Sequence, residues 1–177
     1  MKKSKCVHPR KARTLMEDFV NTASDLFNTD NEKIDIIIRK DKSFMAKVPH
    51  CVAKCDEIEV NYNFDELYNE NAKIFRRCWS LKAPILKGFS DITISLLHEL
   101  GHLETNDEIR KTFHLFVREL AMIGIQSKAE SIEEANVMYF LLPDEKMATE
   151  WAIQWLSVKE NRKLAKKFEK KFFKCFE

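Results

Sequence analysis

The sequence predicts an α+β fold that is mostly helical and carries a small β-sheet. Hydrophobic residues make up 45% of the 177 residues and charged residues 33%, enough for a real core under a charged surface. Only 3 Gly and 4 Pro occur, which disfavours a turn-rich all-β fold. Short β-branched segments come early, and longer segments with apolar residues at helical spacing follow them.

The first part of the chain predicts one helix followed by three strands. Apolar residues recur at helical spacing over 12–27, and a polar break follows at 28–31. The β-branched segment 33–39 predicts a strand, as does the alternating segment 57–62. A further strand is expected at 44–48, and Pro49 should end it.

The remainder of the chain predicts helices. Ser90 or Asp91 can cap a helix that runs to about Glu104, and Pro143 precedes another helix start. A polar loop is expected at 126–134, and the apolar segment 137–142 is assigned no type. The predicted helices span 64–79, 91–104, 107–123, 144–155 and 159–176.

Charge is distributed unevenly along the chain. The net charge of +2 gives no electrostatic case for a nucleic-acid binder, but basic residues gather at both ends. We therefore divide the chain into a basic tail with a helix at 1–32, a central domain at 33–158 and a basic helix at 159–177. The last helix is expected to dock its stripe of Leu164, Phe168, Phe172 and Phe176 on the domain.

Cysteine usage and the missing apolar segments indicate a cytoplasmic protein. The chain has 5 Cys, an odd number, and neither a signal-like N-terminus nor a stretch long enough to cross a bilayer. Cys51 and Cys55, beside His50, are interpreted as unrelated thiols because no second Cys pair follows. No membrane contact is expected.

The segment His98-Glu99-Leu100-Gly101-His102 carries the chemistry. Two His four residues apart lie one turn apart on the same helix face, so both imidazoles can reach one metal ion. Glu99 can then act as the general base toward a water activated by zinc. A helix-interior Gly costs about 1 kcal/mol relative to Ala, so Gly101 indicates that a close neighbour or a substrate backbone needs room.

A catalytic zinc site needs a third protein ligand. Glu145 is the preferred candidate, because helical phase places it at the edge of the apolar face of its helix, whereas Glu150 points away. Glu133 or Glu134 is the main rival. Glu145 could instead merely complement the helix dipole. His114 is interpreted as a packed or surface residue.

Two segments together resemble one known family. LLHELGHLET at 96–105 and LPDEKMATEWAIQWL at 142–156 resemble the ImmA/IrrE metallopeptidases, over roughly 33–156. Glu145, Ala148 and the Trp151-Ala152 pair match the family's downstream helix, while Thr149 stands where Asn is common and the motifs lie farther apart. The resemblance implies a zincin-like fold with a small sheet beside the motif helix. It also implies cleavage or inactivation of a transcriptional repressor.

The sequence thus predicts a zinc metallopeptidase, with Zn²⁺ held by His98, His102 and Glu145 and with Glu99 as the base. The expected partner is a protein substrate such as a helix-turn-helix repressor, with no direct nucleic-acid contact. The alternative is a regulatory binding module that keeps the metal site but acts by gripping its partner. A weaker alternative is a toxin-like element in which peptidase chemistry serves growth control.

Overall fold

In this computed structural model, the described residues are 8–24, 33–39, 46–47, 57–61, 83–112 and 115–176. Within these ranges a helix comes first, the strands follow, and the rest is helical. The elements are α1 (Pro9–Ala23), β1 (Asp35–Arg39), β2 (Ala46–Lys47), β3 (Glu57–Asn61), a 3-10 turn (Pro84–Gly88), α2 (Asp91–Thr112), α3 (Leu115–Lys128), α4 (Ile132–Phe140), α5 (Pro143–Ser157), α6 (Lys159–Phe172) and a second 3-10 turn (Phe173–Cys175). The prediction of a mostly helical α+β chain with a small sheet is confirmed.

The three strands form one sheet in the order β1-β3-β2. β1 pairs with β3 in parallel, with Ile36 opposite Ile58, and β2 pairs with β3 antiparallel, with Ala46 opposite Val60. Ile36, Ile58 and Val60 are fully buried. The alternation of apolar and polar residues at 57–60 therefore directs one face of β3 into the core.

Helices from both ends of the chain share the core with the sheet and α2. Phe19 of α1 stacks on Phe168 of α6, with ring centroids 4.4 Å apart, and meets the edge of Trp155 of α5 at 5.9 Å. Phe168 and Phe172 are buried in the same cluster as the strand residues. The basic C-terminal helix thus docks by its aromatic stripe, as predicted, and its lysines face outward.

Helix α2 is the buried centre of the fold. Every residue from Ile92 to Gly101 is buried, and α2 packs most extensively against α5. A helix with apolar residues all round belongs inside a protein, which agrees with the dense apolar residues of this segment. The polar side chains that α2 carries are therefore held within the core.

Several helix boundaries differ from the prediction. Helix α2 continues to Thr112 rather than ending near Glu104, so the start of the helix predicted at 107–123 belongs to α2, and α3 begins at Leu115. The hydroxyl of Thr105 donates to the carbonyl oxygen of Gly101 at 2.7 Å, so this residue bonds within the helix instead of breaking it. The predicted loop at 126–134 is mostly helical, since α3 runs to Lys128 and α4 begins at Ile132 after the Ser131 cap. Segment 137–142 belongs largely to α4.

Several predicted features lie outside the described residues. They are residues 1–7 of the N-terminal tail, the helix at 64–79, His50, Cys51, Cys55 and His114. The first predicted helix, 12–27, instead begins at Pro9 and ends at Ala23, because Ser24 is already extended. Among the helices that the structure does describe, none combines the length and the apolar character needed to cross a membrane.

Glu169 of α6 ties the C-terminal helix to the start of α2. Its Oε1 accepts hydrogen bonds from the backbone N–H of Ser90 at 2.5 Å and from the hydroxyl of Thr93 at 2.9 Å. Its Oε2 pairs with Lys166 at 2.8 Å. Burial acts to raise the pKa of Glu169, but these partners outweigh it and hold the pKa below its ordinary value.

We expect Glu169→Gln to lower the free energy of unfolding by about 1–3 kcal/mol at neutral pH, because charge-assisted hydrogen bonds are lost. A carboxyl whose pKa is depressed by folding contributes stability above its unfolded pKa, and that contribution disappears as the pH falls through the folded pKa. The difference between wild type and variant should therefore shrink in acid, below the ordinary pKa of 4.5. Urea unfolding at neutral pH and at a pH below 4.5 measures the difference in unfolding free energy between wild type and Glu169→Gln. Glu160→Gln, at an exposed position of the same helix, is the control; an equal effect there would contradict the assignment.

Candidate metal centre

His98, His102 and Glu145 converge at the interface of α2 and α5. Glu145 Oε2 lies 3.0 Å from His98 Nε2 and 3.4 Å from His102 Nε2. The ligating atoms of the three residues all lie within 4.8 Å of one another, and they could hold a metal ion. Donor atoms of a tetrahedral ion with bonds of about 2.0–2.1 Å are about 3.3 Å apart, so two of the separations have the size that such an ion requires.

The local structure of each helix aims its side chain at this point. His98 and His102 lie one turn apart on α2, and their rings meet edge to face with centroids 4.7 Å apart. Glu145 is in the first turn of α5, which begins at Pro143. At 2% relative exposure, Glu145 faces inward as its helical phase predicts, and exposed Glu150 faces away.

Gly101 allows the two helices to approach this closely. A Cβ built at Gly101 would lie 2.9 Å from both the carbonyl carbon and the Cα of Ala148, and closer still to the carbonyl oxygen. These are backbone atoms of α5, which cannot rotate away as a side chain does. The prediction that Gly101 makes room for a close-packed neighbour is confirmed.

Thr149 sets the orientation of the His98 ring. The Thr149 hydroxyl donates to the carbonyl oxygen of Glu145 at 2.9 Å, since a carbonyl can only accept. Thr149 Oγ1 therefore accepts the hydrogen bond from His98 Nδ1, also at 2.9 Å. A neutral imidazole with its proton on Nδ1 has its lone pair on Nε2.

Either a proton or a metal ion can join His98 Nε2 to Glu145 Oε2. A ring nitrogen with a lone pair and a carboxylate oxygen repel each other at 3.0 Å unless a proton or a metal ion joins them. Burial lowers the pKa of His98, which disfavours the proton. The donor set of two imidazoles and one carboxylate therefore fits a divalent transition metal.

His102 and Glu145 shift each other's pKa in opposite directions. Burial acts to lower the pKa of His102, but its hydrogen bond with Glu145 and the nearby carboxylates raise it. Burial acts to raise the pKa of Glu145, yet the two imidazoles hold it well below its usual range. Glu145 is thus an ionised carboxylate inside the protein, the form in which it can ligate a metal.

Arg118 of α3 completes the surroundings of Glu145. Its Nη2 donates to Glu145 Oε1 at 3.0 Å, and its Nε donates to Oδ2 of the adjacent Asp144. The hydroxyl of Tyr139 lies 3.4 Å from the same Nη2. Burial, reinforced by the charge of Glu145, raises the pKa of Tyr139, so its hydroxyl keeps its proton.

Glu99 lies beside the cluster without belonging to it. It is buried at 8% relative exposure, and its charge acts to raise the pKa values of both His102 and Tyr139. Glu99 is therefore within electrostatic reach of the cluster, and it is not among the three residues that could hold a metal ion.

Of the two rival ligands, Glu134 has a described side chain and Glu133 does not. Glu134 is exposed, and its Oε2 accepts from the backbone N–H of Glu130 at 2.8 Å, so it caps a turn away from the cluster. Position 133 lies in α4, but the side chain of Glu133 is outside the described residues.

Sequence reasoning missed the residues that surround the ligands. Thr149 could have been found, because it follows Glu145 by one helical turn on the same face. Arg118 and Asp144 carry no such signal, since an arginine in an amphipathic helix and an acid at a helix start have ordinary solvent-facing roles.

Comparison of the chain with known proteins finds no match among protein-family models, curated proteins or solved structures.

Proposed function

We propose that the chain is a zinc-dependent metallopeptidase. The observation that carries the proposal is the convergence of His98 Nε2, His102 Nε2 and Glu145 Oε2 on one buried point. Two His from a His-Glu-x-x-His helix and a Glu from a later helix form the donor set of catalytic zinc sites that keep a position open.

Zinc would be held by His98, His102 and Glu145, and when bound it supplies Lewis acidity for water and for a peptide carbonyl. Glu99 would accept the proton of the attacking water and then deliver it to the leaving amine as the C–N bond breaks. Thr149 would keep Nε2 of His98 aimed at the ion through its bond with Nδ1. The Tyr139 hydroxyl keeps its proton and lies beside Arg118 and Glu145, where it forms part of the surroundings of the ligands.

The proposed substrate is a protein, and its class follows from the resemblance of 96–105 and 142–156 to the ImmA/IrrE metallopeptidases. That resemblance points to a transcriptional repressor of the helix-turn-helix type. The close contact of α2 with α5 at Gly101 supports the same grouping, because it joins the two resembling segments into one site.

The first test measures metal binding. Wild-type protein stripped of metal should take up one equivalent of zinc and gain about 2.7 kcal/mol of stability at a free zinc concentration of 100 times Kd. Glu145→Ala should lose this gain, because two imidazoles alone hold zinc weakly. Metal content by mass spectrometry and thermal unfolding with and without zinc give the result.

Two matched variants complete the design. Glu150→Ala removes an exposed acid of the same helix, and Glu133→Ala removes the rival ligand. Both should bind zinc as wild type does. Zinc loss in Glu133→Ala with retention in Glu145→Ala would replace the ligand set, and a wild type that binds no zinc would end the proposal.

A further inference from the structure

The two carboxylate oxygens of Glu145 have different partners, and Arg118 binds one of them. Oε1 accepts from Arg118 Nη2 at 3.0 Å, whereas Oε2 faces His98 Nε2 at 3.0 Å. The guanidinium is planar and its donors are fixed relative to one another, so the bond from Nε to Asp144 also fixes the direction of Nη2. Both carboxylate oxygens of Glu145 therefore have partners, Arg118 at Oε1 and His98 at Oε2.

The charges around this pair fit the same arrangement. Asp144 and Glu145 are adjacent and buried at 6% and 2% relative exposure. One arginine between two carboxylates leaves one negative charge, which favours a cation on the other side of Glu145. Within the described part of the chain, Asp144 Oδ1 has no hydrogen-bond partner, so Arg118 provides the anchoring of Asp144 through Oδ2.

We propose that Arg118 is a positioning residue that limits Glu145 to one metal-ligating oxygen and so keeps a coordination position open for water. This inference rests on the proposed function. Without Arg118, Oε1 is released, and a carboxylate can then offer both oxygens to the same ion. The second oxygen would occupy the position that the reaction needs.

Cobalt(II) is the probe, because its visible spectrum reports coordination number directly. The variants are Arg118→Leu and the double variant Arg118→Leu/Asp144→Asn, which also removes the acid that would otherwise be left unpaired. Arg162→Leu is the control; Arg162 donates to the carbonyl oxygens of Leu156 and Ser157 on α5's last turn. Circular dichroism establishes first that each protein is folded.

Both Arg118 variants should bind cobalt with a weaker, shifted visible absorption typical of a higher coordination number. Their affinity for a hydroxamate, which occupies the open position, should fall about tenfold to a hundredfold, as for other residues that orient a metal ligand. Arg162→Leu should keep the wild-type spectrum.

The outcomes separate this inference from the proposed function. A wild type that binds cobalt and cleaves protein, together with a folded double variant of unchanged spectrum, would overturn the role of Arg118 alone. A double variant that does not fold would also overturn it, because Arg118 would then be a general structural residue. A wild type that binds no cobalt would overturn both.

Discussion

Glu99→Gln should lower kcat for peptide hydrolysis by about 10²–10⁴-fold, the usual contribution of a positioned general base. Glutamine has nearly the same shape but cannot accept the proton of the attacking water. Because Glu99 is buried beside the cluster and outside the ligand set, zinc should stay bound. Steady-state cleavage assays and metal analysis of the same preparation measure the two effects.

The same variant separates a peptidase from a binding module. Glu150→Gln, which neutralises an exposed acid of α5, is the control and should keep full activity. If Glu99→Gln retains zinc and still regulates its protein partner as wild type does, the chain acts by binding, and peptide hydrolysis is not its function.

Gly101→Ala should destabilise the protein by about 3 kcal/mol, at the upper end of the usual cost of overpacking. The added Cβ would lie 2.9 Å from the carbonyl carbon and the Cα of Ala148, so α5 as a whole must move away from α2. That movement carries Glu145 away from the two imidazoles, and zinc affinity should fall about tenfold or more. Chemical denaturation and zinc titration test both effects.

Gly124 offers a control of opposite sign. It lies inside α3, and a Cβ built there has no atom within 4 Å. Gly124→Ala should therefore stabilise the protein by up to about 1 kcal/mol, since Ala favours the helix. If Gly101→Ala and Gly124→Ala changed the free energy of unfolding in the same direction and by the same amount, helix propensity would explain the effect at Gly101. Contact between α2 and α5 would then not be its cause.

Most of the fold was predictable where one local pattern dominates. The alternation at Glu57–Asn61 predicts a strand, and the spacing of apolar residues in α2 and α6 predicts helices. The ends of elements were less predictable. Thr105 and the residues after it favour a break on propensity alone, yet α2 continues to Thr112.

The sequence by itself determined the half of the candidate site that depends on helical spacing. His98 and His102 share a face because they are one turn apart, and the phase of α5 turns Glu145 inward and Glu150 outward. Gly101, which is unusual in a helix interior, likewise predicted a close neighbour.

Only the tertiary structure decided which helices meet and what surrounds the ligands. Glu145 is 43 residues beyond His102 (145 − 102), and Arg118 reaches Glu145 from a third helix. No periodicity relates side chains on separate helices, because their distances are set by the packing of whole helices around the core. The bond from His98 to Thr149 and the division of Glu145 between Arg118 and the imidazoles exist only once that packing is complete.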